Sequence, residues 1–129
     1  MCAMTQADLS PETVSLQGRR LRTVAAAGTG GEIGPETRFE CSEDGEVVAA
    51  CYQGGAVRLG FRLGTRSGNH LQLRFLHVDQ AGEVTAGRAD ARLELLPDGR
   101  VRLHELWASE GRSGERACVL EELPRLAET

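Results

Sequence analysis

Lysine is absent from the chain: all 15 basic residues are Arg. Aromatic residues make up only 4%, too few for a surface on which nucleic-acid bases could stack. The net charge is -4 and the pI about 5.4, so no general basic face exists to release counterions from a polynucleotide. No apolar run approaches the roughly 20 residues of a membrane-spanning helix. The four cysteines, Cys2, Cys41, Cys51 and Cys118, form neither a CxxC pair nor a metal knuckle. His70, His77 and His104 show no ligand spacing, so no metal and no cofactor is expected. The first residues, Met-Cys-Ala-Met-Thr-Gln-Ala-Asp, have neither a basic start nor an apolar core. Reduced cysteines in a cytoplasmic protein are therefore expected.

The chain has 129 residues and 40% apolar content, which fits one globular domain. Residues 1–15 read as a flexible N-terminal tail, 16–123 as the domain and 124–129 as a C-terminal tail. Glycine turns punctuate the domain at Asp44-Gly45, Gly54-Gly55, Arg66-Ser67-Gly68, Gln80-Ala81-Gly82, Pro97-Asp98-Gly99 and Gly111–Gly114. Their spacing is one strand plus one turn, the pattern of an antiparallel meander. Eight strands are predicted, at roughly 16–26, 37–42, 46–53, 56–65, 69–79, 83–96, 100–109 and 115–123. A Gly-rich loop is expected at 27–36. The best helical candidate is a turn or two at Glu121–Glu128.

Period-two alternation assigns the faces. The turns pair Phe75 with Gly87, Leu73 with Ala89, Leu93 with Leu103 and Ala91 with Glu105, and so place these residues inside. A three-residue loop at 66–68 would pair Leu63 with Leu71 and Phe61 with Leu73. That places Val57, Leu59, Phe61 and Leu63 inside, and Arg58, Arg62, Arg74, Arg88, Arg92 and Arg102 in solvent. One apolar face, no helix layer and hairpin-only connections predict an eight-stranded antiparallel up-and-down barrel. The style is that of the lipocalin and fatty-acid-binding barrels. Such an interior can be filled or can hold one small ligand.

Five inward residues are candidate ligand contacts: Tyr52, Phe75, His77, Glu105 and Trp107. Glu105 draws most attention, because an unpaired buried carboxylate is costly. With Tyr52 or His77 it could orient a polar ligand or act as an acid–base pair; the alternatives are a structural hydrogen-bonded pair or a barrel-mouth position in contact with water. Gly28–Gly31 looks superficially like a phosphate loop but lacks the Lys-Ser/Thr end and a following helix.

Several motifs together carry a family resemblance: Phe39-x-Cys-x-x-Asp-Gly-x-Val, Tyr52-x-Gly-Gly, Leu73-Arg-Phe75, and Asp98-Gly-Arg-Val-Arg-Leu-His-Glu-x-Trp107. The string resembles a family of small bacterial proteins of unknown function whose members often carry the label N-acetylglutamate synthase. The resemblance spans about residues 16–123 and brings no established catalytic residues. The first functional expectation is a non-enzymatic module holding a small, partly apolar ligand inside the barrel. The second is a filled barrel that self-associates as a homodimer, and the third is an enzyme using Glu105 with His77. Neither nucleic acid nor membrane is an expected partner.

Overall fold

A computed structural model describes residues 9–26 and 33–124. Eight strands follow one another: β1 (Arg20–Ala26), β2 (Arg38–Asp44), β3 (Val47–Gly54), β4 (Val57–Ser67), β5 (His70–Asp79), β6 (Val84–Leu95), β7 (Val101–Ser109) and β8 (Arg116–Glu122). Each pairs antiparallel with its sequence neighbour, and β1 pairs with β8, so the sheet closes into a barrel. The expected barrel and all eight expected strands are present. The helical candidate at Glu121–Glu128 begins inside β8, and its end lies outside the described residues. The Gly28–Gly31 segment also lies outside them.

The registers of β5–β6 and β6–β7 are those the turn residues dictate. Phe75 faces Gly87, Leu73 faces Ala89, Ala91 faces Glu105 and Glu94 faces Arg102. The β4–β5 hairpin differs. Ser67 pairs with His70, so the turn is the two-residue Gly68-Asn69, with Gly68 at φ +62° in its first central position. The register slips by an odd number relative to a 66–68 loop, and an odd slip reverses both faces of a strand. Leu59, Phe61 and Leu63 therefore point outward, at 42%, 55% and 58% exposure, while Gly60, Arg62 and Gly64 point inward. A bulge between Val57 and Leu59 restores the earlier phase, so Val57 is buried as expected.

The inward glycines are a packing requirement. A Cβ on Gly60 would sit 2.5 Å from the Tyr52 ring. One on Gly64 would sit 1.8 Å from the Gln72 carbonyl oxygen. Only a residue without a side chain lets β4 approach these neighbours.

The core has three layers. Val48, Leu71, Leu93, Val101, Leu103, Leu120 and Leu21 fill the end at the β2–β3, β4–β5 and β6–β7 turns. Val14, at the end of the expected tail, is fully buried there, and Leu16 packs beside it. Arg66 fixes this segment by donating to the Pro11 and Val14 carbonyls, while Glu43 accepts from the Leu16 amide. The buried Arg62 and Glu105 form the middle layer. Rings form the third, near the opposite end.

Gly64→Ala should lower the unfolding free energy by about 2–4 kcal/mol, because rigid backbone blocks the new methyl. Gly34→Ala meets nothing within 4 Å and should be close to neutral. Urea denaturation of the two variants checks both expectations.

Candidate functional site

All five expected site residues point into the barrel and form one connected cluster. β3 supplies Tyr52 and β5 supplies Phe75 and His77, while β7 supplies Glu105 and Trp107. Tyr52 Oη lies 2.8 Å from His77 Nδ1 in a buried hydrogen bond. The Phe75 and His77 rings stack at 5.5 Å, and Phe75 meets Trp107 at 4.5 Å. Tyr52 meets Trp107 edge-on and stacks on Phe39. This ring layer lies towards the barrel end formed by the β3–β4, β5–β6 and β7–β8 connections. Trp107, His77 and Phe75 retain 7%, 3% and 4% exposure, whereas Tyr52 behind them has none.

Glu105 does not pair with His77 or Tyr52. Its partner is Arg62, which approaches from across the barrel because β4 is turned over. Arg62 Nη1 and Nη2 donate to Glu105 Oε1 and Oε2, each at 2.8 Å, in a bidentate fork. Both side chains are almost wholly excluded from water. Trp107 Nε1 donates a third hydrogen bond to Glu105, at 2.6 Å, and Cys118 Sγ approaches at 3.9 Å. The Arg62 guanidinium also lies 5.0 Å from the Phe39 ring centroid and 5.8 Å from that of Trp107. Burial works against its charge, but the Glu105 carboxylate more than offsets this and raises its proton affinity. Glu105 is thus a structural carboxylate that positions Trp107, and the acid–base pairing with His77 is not formed.

Arg62 is the residue the alternation pattern missed. Two signals pointed to it: Glu105 needed a cation, and Gly60-x-Arg62-x-Gly64 places glycines where a strand interior disfavours them. A void lined by Arg62, Cys41, Leu73 and Leu103 has a volume of about 10 Å³, room for about one water. The Arg62–Glu105 pair occupies the middle of the barrel.

The other arginines expected in solvent do lie outside. Arg102 pairs with Glu94 and Glu121, and Arg88 pairs with Glu115. Arg74 does not reach Glu121 or Glu122, which bond instead to Arg100, Arg102 and Arg19. Among the described residues, no group of three His, Cys, Asp or Glu side chains could hold a metal ion.

A closed antiparallel barrel of eight strands with a ring-lined end defines a calycin-type barrel. The profile of the avidin-like protein family matches residues 14–123, and the chain belongs to that family. Barrels of this family typically bind small ligands and often oligomerise. Comparison with curated proteins and with solved structures finds no match. The small all-β family that the motif string resembles agrees with this assignment at the level of fold.

Two measurements test the middle layer. Arg62→Met should cost about 3–5 kcal/mol, because it strands the Glu105 charge. Adding Glu105→Leu should recover most of that loss, less about 1–3 kcal/mol for the Trp107 N–H left without an acceptor. Chemical denaturation of the single and double variants reads both. Separately, burial pushes the Cys41 thiol up from 9.0 to about 11. Its contribution to stability is complete below pH 9 and is lost as pH rises through about 11, since the unfolded chain ionises first. The wild type should lose about 2–3 kcal/mol more across that window than Cys41→Ala does.

Proposed function

We propose that this protein is a non-enzymatic binding barrel that takes a small, partly apolar molecule at its ring-lined end. The supporting observation is the joined layer of Phe75, His77 and Trp107, near the barrel end framed by three hairpin connections. A ligand ring or alkyl chain would lie against Phe75 and Trp107. His77, oriented by Tyr52, would offer the polar contact. Glu105 would act from behind, holding the Trp107 indole at a fixed angle. The Arg62–Glu105 pair sets a floor, so the ligand sits at the mouth and not in the barrel centre. Family membership supports small-ligand binding in general terms. The acetyl transfer implied by the N-acetylglutamate synthase label is not part of this reading. Among the described residues there is no helix whose N-terminus could receive a pyrophosphate.

A second reading, self-association, is favoured by a different observation: the apolar outer face of β3, β4 and β5.

The first reading is tested by native mass spectrometry of gently purified protein, followed by Trp107 fluorescence. A retained small-molecule mass is expected, lost in His77→Ala. Adding back the extracted compound should shift the emission of Trp107, the sole tryptophan. A clean apo mass, with Trp107 emission indifferent to a library of small amphipathic compounds, would overturn it.

A further inference from the structure

The reversed register of β4 leaves a large apolar surface on the outside of the barrel. Val47, Leu59, Phe61, Leu63 and Leu76 are all exposed, and all lie on the outer face of three adjacent strands. Val84 on β6 extends the patch at one corner. These side chains present on the order of 500 Å² of apolar surface, near the upper end for the largest patch of a monomer. With a polar border they approach the roughly 800 Å² that a stable interface buries on each partner.

The strand registers set these residues in rows across the sheet. One row runs Glu40, Cys51, Phe61, Leu76 across β2 to β5. The next runs Ser42, Ala49, Leu63, Arg74. A third runs Asp44, Val47, Thr65, Gln72. In these two rows β4 carries the large Phe61 and Leu63, and β3 carries the small Cys51 and Ala49 beside them.

We propose that this face is the contact surface for a second copy of the same chain, related by a two-fold axis running between β3 and β4. The assignment rests on the self-associating reading above. An axis there lays β3 of one copy over β4 of the other, and β2 over β5. Phe61 then faces the small Cys51 of the second copy, and Leu63 faces Ala49, large against small in both directions. Arg74 is brought over Ser42, between Glu40 and Asp44. None of Arg74, Glu40 and Asp44 forms an ion pair within the chain among the described residues. The contact is isologous, so each match occurs twice. Two sheet faces packed this way resemble an aligned β-sandwich.

The test is light scattering behind size-exclusion chromatography over a dilution series, with alkylation of Cys51 followed by peptide mapping. The wild type is expected to be a dimer whose Cys51, exposed in the single chain, labels slowly. Phe61→Arg should give a folded monomer, with unchanged Trp107 emission and rapid Cys51 labelling. Arg74→Glu should weaken the dimer at least about tenfold. Arg92→Glu, the same charge change outside the contact, should leave it unaltered. A wild type that is monomeric at every concentration would overturn self-association itself. A dimer that survives Phe61→Arg with Cys51 freely labelled would leave self-association standing and overturn this surface.

Discussion

A single buried charge, Glu105, governs the interior of this barrel. Its inward position is dictated by the β6–β7 register, which also buries Leu103 and Trp107 on the same strand. A lone carboxylate at that depth would cost several kcal/mol. The chain answers with Arg62, and Arg62 can reach Glu105 only if β4 is turned over. From that requirement follow the inward Gly60 and Gly64, the two-residue turn at Gly68-Asn69, and the outward Leu59, Phe61 and Leu63. Arg rather than Lys suits the task, because its planar fork meets both carboxylate oxygens while its faces lie against Phe39 and Trp107.

The same pair divides the barrel into two chemically different halves. Below it, aliphatic side chains and the segment around Val14 and Leu16 close one end. Above it, five ring side chains cluster around a Tyr–His hydrogen bond. Trp107 joins the halves, since its ring packs on Phe75 while its N–H is tied to Glu105. A bidentate pair with a third donor gives that indole one orientation. Rigidity of this kind would lower the ordering cost of any ligand contact made by Trp107.

Most of the fold was legible in the sequence. Gly82 and Gly99 marked their turns correctly because each loop was bounded by strands whose alternation admits one inward set, as with Phe75 and Leu73 or Leu93 and Leu103. β4 was legible only in part. Its alternation is as clean as any in the chain, but the apolar set faces out, against the rule that a strand's hydrophobic residues point to the core. Local pattern cannot see a cation demanded by a carboxylate more than forty residues later. The site shows the same division. Parity alone placed Tyr52, Phe75, His77 and Trp107 inside the barrel, whereas the partner of Glu105 depended on a long-range pairing. The burial of Val14, within the expected tail, was not legible because it occurs singly among polar residues, and the burial of such a residue is set by what it docks against.

β4 is in effect a strand with two usable faces. Threaded one residue out of phase, it would bury Leu59, Phe61 and Leu63 and gain more apolar burial than the native register offers. That alternative would expel Arg62, strand Glu105 and drive side chains into the space now occupied by glycine. During folding, then, the hairpin formed by β4 and β5 meets a competitor that hydrophobic collapse alone favours. The carboxylate on β7 distinguishes the two registers, so the native phase of β4 depends on a partner across the ring and not on its own hairpin alone.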